Sequence, residues 1–249
     1  MRAVRLIVGG ATGKTGAEVV RYLAGQDDLQ VVGAVGRQHQ GADLGALLGW
    51  PALSGVPISA SVGHVPAEAD VYVDFTAPEV AVALAMEAVG RAMRVLIGTS
   101  GLEPQSVSLL AAQVQRQSLA AAVIPNFSVG AVLQRKMALE LGRRFGRVEV
   151  VEGHHRSKRD APSGTARDLA SALEAMGVET AVHSLRLEGL VARQEVWAGG
   201  PGEVISLTHE VTSRQAYGAG VAMAARQLVT VSGFFTSLEE LCPALTARD

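Results

Sequence analysis

The sequence predicts an α/β protein with a doubly wound parallel sheet, followed by a second α+β domain that carries a mixed or antiparallel sheet. Three observations predict this fold class. Short apolar segments alternate with helical segments over the first half of the chain, as they do in βαβ units. The first apolar segment leads directly into a glycine-rich turn and a helix. After Asn126, extended segments alternate polar and apolar residues, as half-exposed strands do.

The first half alternates strands with helices. Apolar segments of strand length, expected to be buried on both faces, lie at residues 3–8, 29–35, 70–75, 94–98 and 120–124. Helical segments lie at residues 15–23, 76–92 and 103–117, and Pro78 is typical of a first helical turn. Because crossovers between parallel strands are right-handed, these helices cover both faces of a Rossmann-like sheet. The glycine-rich residues 38–55 are not assigned.

The second half predicts a different sheet. Helices are expected at residues 129–145, 163–176 and 215–231, and a strand is expected at residues 147–152. Residues 181–187 and 203–211 alternate apolar and polar side chains, which predicts antiparallel strands with one exposed face.

The composition is globular and excludes several classes of protein. The 249 residues suit one large domain or two small ones, and 48% of them are hydrophobic. A net charge of −2 argues against a dedicated nucleic-acid binder, and the single cysteine, Cys242, excludes an internal disulfide framework. No apolar segment reaches the ~18 residues of a membrane span. We therefore expect a cytoplasmic protein that binds neither membranes nor nucleic acids.

The turn GGATGKTG, residues 9–16, follows the first strand and opens the first helix. Glycines there permit a tight turn and a close backbone approach, and the helix N-terminus attracts a pyrophosphate. This context predicts a dinucleotide site, and a glycine turn without a ligand is the alternative. An NTPase phosphate loop is disfavoured because that motif needs a glycine where Val8 stands. The predicted cofactor residues of this turn are Gly10, Thr12, Gly13, Lys14, Thr15 and Gly16.

The end of the second strand indicates which dinucleotide is bound. Many NAD-binding sheets carry an acid there that hydrogen-bonds the ribose 2′-hydroxyl, whereas this sequence has Gly36 and Arg37. A guanidinium can form a bidentate contact with a 2′-phosphate, and Lys14 adds positive charge nearby. We therefore expect NADPH as the preferred cofactor, with NADH also possible. The alternative is that Arg37 is a surface residue without a ligand.

Cations and imidazoles precede a predicted helix in the stretch EGHHRSKRDAPSGTA, which runs from Glu152 to Ala166. Ser163 caps the helix and leaves backbone N–H groups free to bind an anion. Lysine supplies a mobile cation, and histidines supply titratable protons. These groups suit a small substrate that carries carboxylates and a bond that gains a proton. The candidate residues are His154, His155, Lys158, Ser163, Gly164 and Thr165.

Other interpretations of this stretch stay open. The loop could be a solvated run of charges without a ligand. Glu152, His154 and His155 could bind a metal, but strand alternation turns the two histidines to opposite faces and Lys158 repels a cation. We therefore predict no metal. A nucleic-acid contact would need aromatic partners that this stretch lacks.

The same stretch closely resembles the signature of the dihydrodipicolinate reductases, also called 4-hydroxy-tetrahydrodipicolinate reductases. The fragments VDFT, IGTSG and NFSVG resemble further motifs of that family and occur in the same order. The resemblance covers most of the chain. It implies NAD(P)H-dependent reduction of a cyclic dicarboxylate in the diaminopimelate route to lysine.

The resemblance also implies roles for individual residues. His154 would be the acid/base, and Lys158 the proton donor or substrate clamp. His155 and residues 163–165 would hold a carboxylate, with Ser100 helping from the cofactor side. The cofactor groove would be lined by Gly10, Thr12, Lys14, Gly16, Arg37, Phe75, Thr76, Gly98, Thr99, Asn126, Phe127 and Ser128.

The implied domain organisation places the dinucleotide on residues 1–126, with a C-terminal helix at residues 215–249 packing back on them. Residues 127–214 would bind the substrate and form a homotetramer through the second sheet. Residues 189–203 would form a shorter loop than the family carries there. Two other functions stay open: an NADP-binding sensor of the atypical short-chain reductase type, and a reductase of a different imine or aldehyde acid.

Overall fold

The computed structural model describes residues 2–246, which divide into two units. Of the described residues, the first unit contains residues 2–128 and 214–246, and the second contains Val129–Ser213. The strands are β1 (Val4–Gly9), β2 (Leu29–Val35), β3 (Ile58–Ser59), β4 (Val71–Asp74), β5 (Arg94–Ile97), β6 (Ala120–Val123), β7 (Arg147–His154), β8 (Glu179–Arg186), β9 (Ala192–Gly200), β10 (Glu203–Val211) and β11 (Gly233–Phe235). The helices are α1 (Gly16–Ala24), α2 (Leu44–Leu48), α3 (Pro78–Gly90), α4 (Pro104–Arg116), α5 (Val129–Phe145), α6 (Gly164–Glu174), α7 (Ala216–Leu228) and α8 (Leu238–Leu241).

The first unit contains a seven-stranded parallel sheet in the order β11-β6-β5-β4-β1-β2-β3. The sequence order reverses beside β1, which is the strand order of a doubly wound dinucleotide-binding sheet. Leu6, Ile7 and Val8 on the central strand are fully buried, because parallel sheets of this kind are covered on both faces. The predicted fold class is confirmed.

Two parts of the first unit differ from the sequence-based expectation. Residues 38–55, which were not assigned, contain α2, whose N-cap Asp43 accepts a hydrogen bond from the backbone N–H of Ala46. Helix α7 was expected to be the last element, but β11 and α8 follow it. Helix α7 packs on α1, where a side chain at Gly218 would overlap the ring of Tyr22.

The second unit contains a four-stranded mixed sheet in the order β10-β9-β7-β8. The predicted antiparallel direction of residues 181–187 is wrong, because β8 pairs with β7 and runs parallel to it. Helix α6 joins β7 to β8 and returns the chain to the same end of the sheet, as a crossover must. Alternation of polar and apolar residues indicates that one face of a strand is exposed. It does not indicate whether the strand runs parallel or antiparallel to its neighbour.

The predicted loop at residues 189–203 is also wrong, because most of it is strand β9. This strand lies at the centre of the sheet, antiparallel to both β7 and β10. Val196 and Ala198 of β9 are buried, whereas Trp197 between them is exposed. The alternation is present in the sequence, but it is short and interrupted by charged residues.

Helices α5 and α6 cover one face of the second sheet. Val150 and Val196 of that face are fully buried among Ala138 of α5 and Leu169 and Leu173 of α6. The opposite face of the sheet carries Leu185, Trp197 and Val204, all of them exposed. Among residues 2–246, no helix has both the length and the apolar character that a membrane span requires.

Candidate active site

The carboxyl ends of the parallel strands in the first unit gather the predicted cofactor residues at one edge of the sheet. Backbone hydrogen bonds join these strand ends, since Gly10 N donates to the Val35 carbonyl and Gly98 N donates to the Asp74 carbonyl at 2.9 and 2.8 Å. Ligands bind at this edge in doubly wound sheets. The predicted residues lie here as follows: residues 10–16 after β1, Arg37 after β2, Phe75 and Thr76 after β4, residues 98–100 after β5, and Asn126, Phe127 and Ser128 after β6.

The glycine turn has the geometry that a dinucleotide requires. Gly10 has a φ of 71°, and a side chain there would overlap the carbonyl oxygen of Phe75. A side chain at Gly16 would overlap the carbonyl oxygen of Gly10. Thr15 forms no side-chain cap on α1, and the Ala17 N–H donates to the Gly13 carbonyl at 2.9 Å, so the other N–H groups at the start of this helix can bind a ligand. These features fit the pyrophosphate of a pyridine nucleotide.

Asp74 is fully buried at this edge and organises the turns beside it. One carboxylate oxygen accepts from the Thr99 hydroxyl at 2.5 Å, and the other accepts from the Tyr72 hydroxyl at 2.5 Å. Thr76 donates to the same carboxylate through its hydroxyl and its backbone N–H. Burial, together with the charge of Asp74, raises the pKa of Tyr72 well above its ordinary value, so that the hydroxyl stays a donor. The strand ends that carry Thr76 and Thr99 are thereby held together.

Two aromatic rings line the same edge. Phe75 and Phe127 pack edge to face with their ring centroids 5.9 Å apart. A side chain at Gly98 would overlap the Phe75 ring, so the ring lies directly against the β5 turn. Asn126 accepts a hydrogen bond from the Ser128 N–H at 2.9 Å, which shapes the end of this segment. Arg37, Lys14 and Ser100 have exposed side chains.

The second unit places His154 at the end of β7, against a fully buried carboxylate. Glu152 Oε2 lies 2.6 Å from His154 Nδ1, because residues two apart on a strand share one face. Arg186 of β8 forms a bidentate pair with the same carboxylate at 2.7 and 3.0 Å. Burial raises the pKa of Glu152, but hydrogen bonds from Arg186, Ser184 and His154 outweigh it and lower the pKa overall. Glu152 is therefore ionised at neutral pH.

The loop after β7 carries the remaining candidates. Lys158 forms an ion pair with Asp160 at 2.9 Å, and this bond lowers the pKa of Asp160. His155 is exposed, accepts a hydrogen bond from the Ser157 N–H at its Nδ1 and pairs through its Nε2 with Glu188 at 2.8 Å. Lys158 is thus a cation held at a known place in the loop, and it has exposed surface.

Ser163 caps α6, as the sequence predicts. Its hydroxyl accepts from the Ala166 N–H at 3.3 Å, while its own N–H donates to Glu152 Oε1 at 3.2 Å. Gly164 and Thr165 form the first turn of this helix, and Thr165 is exposed. A helix start of this kind suits a carboxylate.

The structure does not bring Glu152, His154 and His155 together as metal ligands. Arg186, His154 and Ser163 occupy the Glu152 carboxylate, and the His155 ring lies beyond the strand against Ser157 and Glu188. Within residues 2–246, no group of three or more histidine, cysteine, aspartate or glutamate side chains is arranged to hold a metal ion.

The sequence analysis did not identify Arg186 and Tyr72 as residues of the site. Arg186 stands 34 positions from its partner Glu152, and a single arginine in an alternating strand gives no local signal of that contact. Tyr72 has a weaker signal, since it is a polar-tipped side chain in a strand predicted to be buried on both faces and so needs a partner.

Comparisons with known proteins match both units. The family model described as "Dihydrodipicolinate reductase, N-terminus" matches residues 4–127, and "Dihydrodipicolinate reductase, C-terminus" matches residues 129–241. A 4-hydroxy-tetrahydrodipicolinate reductase of Moorella thermoacetica is 38% identical, covering 96% of this chain and 97% of its own. The enzyme of that name from Trichormus variabilis is 35% identical, covering 96% and 98%.

Solved structures show the same likeness. A dipicolinate-bound dihydrodipicolinate reductase from Paenisporosarcina sp. TG-14 has a TM-score of 0.81 and 28% identity, covering 95% of this chain and 98% of its own. An amine dehydrogenase from Mycobacterium smegmatis has a TM-score of 0.71 at 15% identity, covering 98% and 97%, and shares the fold alone.

Proposed function

The chain belongs to the dihydrodipicolinate reductase family. On this basis we propose which residues bind the cofactor, which bind the substrate and which deliver the proton. The protein is an NAD(P)H-dependent oxidoreductase that reduces 4-hydroxy-tetrahydrodipicolinate in the diaminopimelate route to lysine. The sensor and the reductase of another acid are not favoured, because both family models and the full-length relatives agree on this step.

The observation that carries the division of roles is the group of residues after β7. One stretch there combines an imidazole on a buried carboxylate, a partly exposed ammonium and a capped helix start. A cyclic dicarboxylate needs cationic and N–H partners for its carboxylates, and its reduction needs a proton. The imidazole, the ammonium and the helix start together supply the partners for the carboxylates and the proton.

We assign binding of the substrate carboxylates to His155 and to the α6 N-terminus at Ser163, Gly164 and Thr165. The Ser163 hydroxyl is already used as a cap, so its contribution is to keep the next two N–H groups open. The His155 imidazole would exchange its partner Glu188 for the substrate.

We assign proton delivery to His154 and Lys158. His154 can hold a proton at Nε2, because its Nδ1 is engaged by Glu152. Lys158 can hold one at Nζ and is anchored by Asp160 until a substrate carboxylate or a developing anion replaces that partner. A bound nicotinamide supplies the hydride in this reaction.

The first unit binds a pyridine nucleotide. We propose that residues 10–16 hold the pyrophosphate and that the Phe75 and Phe127 rings, with the adjacent Gly98, line the nicotinamide side. The close approach at Gly10 and the open helix start of α1 support this assignment. Thr76, Thr99, Asn126 and Ser128 would complete the groove, and a role for Ser100 toward the substrate stays a prediction.

NADPH is the proposed preferred cofactor, with Arg37 binding its 2′-phosphate. The side chain of Arg37 is exposed just beyond β2, where an acid would favour NADH. Arg37→Ala is therefore expected to weaken NADPH about tenfold or more and to leave NADH nearly unchanged, since about 1.5–3 kcal/mol is typical of a hydrogen bond to a charged group.

Fluorescence titration of both reduced nucleotides would measure this difference. Arg116→Ala removes an exposed arginine from α4 of the same unit and serves as the matched control, with no change expected for either nucleotide. Equal losses for NADPH and NADH in Arg37→Ala would contradict the 2′-phosphate role.

The reaction itself can be tested with purified protein. We expect loss of the absorbance of NADPH when the freshly made product of dihydrodipicolinate synthase is added, and no loss with NADPH alone. Oxidation without that acceptor would point to another substrate, and no oxidation with it would point to a binding protein.

We propose a homotetramer that forms through the uncovered face of the second sheet. Val204 on this face is 72% exposed, and Leu185 and Trp197 lie on the same face. Light scattering of the wild type against Val204→Glu should show a smaller species for the variant, and a monomeric wild type would reject the proposal.

Because the reaction consumes reduced nicotinamide for amino-acid synthesis, we place the protein in the cytoplasm.

A further inference from the structure

We propose that Glu152 and Arg186 form a positioning pair that orients His154 and, at the same time, the loop that carries Lys158. Neither residue is assigned contact with the substrate, so their effect on the reaction passes through the groups they hold. The inference rests on the proposed roles of His154 and Lys158, and its tests separate the two.

The pair is built as a fixed unit. The Glu152 side chain is fully buried, and Arg186 binds both of its oxygens, which fixes the plane of the carboxylate. Arg186 is itself held by backbone acceptors, with Nη1 donating to the Leu185 carbonyl at 2.7 Å and Nη2 donating to the Asp160 carbonyl at 2.6 Å. A buried charge that keeps this many partners cannot turn away without leaving them unsatisfied.

The carboxylate determines which nitrogen of His154 is available. An ionised carboxylate only accepts hydrogen bonds, so the nitrogen that faces it, Nδ1, must carry a proton. The Nε2 atom is then free to accept or to deliver the reacting proton. A carboxylate behind a histidine also fixes the orientation of the ring.

The same two residues also hold the loop between β7 and α6 at two points, Asp160 and Ser163. Glu152 Oε1 accepts from the Ser163 N–H, which is where α6 begins. Arg186 donates to the Asp160 carbonyl, and the Asp160 side chain holds Lys158. One buried ion pair therefore orients the imidazole, the helix start and the residue that anchors the ammonium.

The opposite face of the same strand offers a matched control. Glu149 pairs with the His183 Nε2 at 2.7 Å, so it is also a glutamate of β7 with a histidine partner. Glu149 is partly exposed and has no proposed role in the site, whereas Glu152 is fully buried. Glu149→Gln makes the same chemical change on the exposed face of the same strand, without touching His154.

Glu152→Gln is expected to lower kcat at least about ten- to a hundredfold, the range typical of removing a group that orients a metal-bound histidine, with about 10⁴-fold as the upper limit known for a carboxylate behind a catalytic histidine. The KM for NADPH should stay within about twofold of the wild type, because the affected groups belong to the second unit. Glu149→Gln should retain wild-type kcat. An equal fall in kcat for both variants would overturn the inference, since it would reflect a general weakening of the sheet.

A double-mutant cycle tests whether Glu152 acts through His154. In a His154→Gln background, adding Glu152→Gln should lower kcat by clearly less than it does in the wild type, because the part of the effect that passes through His154 is already lost and only the part that passes through the loop carrying Lys158 remains. A loss in that background as large as in the wild type would refute positioning of His154. A wild type that fails to oxidise NADPH with the substrate would instead reject the proposed function.

Which ring nitrogen of His154 carries the proton can be determined without substituting Glu152 or Arg186. Nitrogen NMR of the neutral His154 ring in the wild type should show the proton on Nδ1, with the signal assigned by its loss in His154→Gln. This form is the minor one for a free imidazole. A proton on Nε2 would overturn the inference, even if Glu152→Gln failed to fold.

Discussion

Lys158→Ala is expected to lower kcat by about 10²- to 10⁴-fold while the affinity for NADPH stays near the wild-type value. The ammonium of Lys158 lies in the loop after β7, paired with Asp160 at 2.9 Å. An alanine cannot deliver a proton or bind a carboxylate, so both proposed roles disappear together. The nucleotide is assigned to the first unit, and its binding should not depend on this side chain. Steady-state kinetics with a separate NADPH titration measure the two quantities.

Arg156→Ala is the matched control for Lys158→Ala. Arg156 is a cation of the same loop, but its side chain is 71% exposed and paired with Glu188. Exposed ion pairs contribute little to stability, so this variant should keep its turnover. If Lys158→Ala instead abolished NADPH binding and left kcat intact, the assignment of the two ligands to separate units would be wrong.

Gly10→Val is expected to remove NADPH binding and to destabilise the first unit. Gly10 has a φ of 71°, which a β-branched residue adopts only at a cost of about 1–2 kcal/mol. The new side chain would also overlap the Phe75 carbonyl, so the β1 and β4 turns must separate. The α1 N-terminus would then lose the close backbone approach that a pyrophosphate needs.

Gly146→Val separates backbone strain from the overlap. Gly146 has a φ of 72° and no atom within 4 Å of the position of a side chain. Thermal unfolding of the two variants should show a larger loss for Gly10→Val, and only Gly10→Val should lose NADPH in a titration. Equal destabilisation with intact NADPH binding in both would show that the glycine turn does not form the pyrophosphate site.

The strands and helices of the first unit up to β6 were predictable, apart from α2 and β3, because their signals are local. Strand β2 was predicted at residues 29–35, as observed, and the glycine turn lies between β1 and α1 as expected. Helix α5 and the cap at Ser163 were also predicted at their observed positions. The spacing of hydrophobic residues, the glycines and the capping residues each indicate the conformation of the few residues around them.

The direction of β8 and the existence of β9 were not predictable in the same way. Strand β8 alternates polarity as an antiparallel strand does, yet it pairs in parallel with β7. Strand β9 is a central strand whose burial comes from its neighbours β7 and β10. Pairing partners lie far along the chain, and tertiary context overrides local pattern at such positions.

The sequence by itself determined the doubly wound sheet, the glycine turn and the presence of an imidazole, an ammonium and a helix cap in one stretch. Only the tertiary structure decided how those groups are held. The Arg186–Glu152 pair joins residues 34 positions apart, and the Asp74 carboxylate joins the ends of β4 and β5. A buried charge takes its partners from whichever strands surround it, and that neighbourhood exists only after the chain has folded.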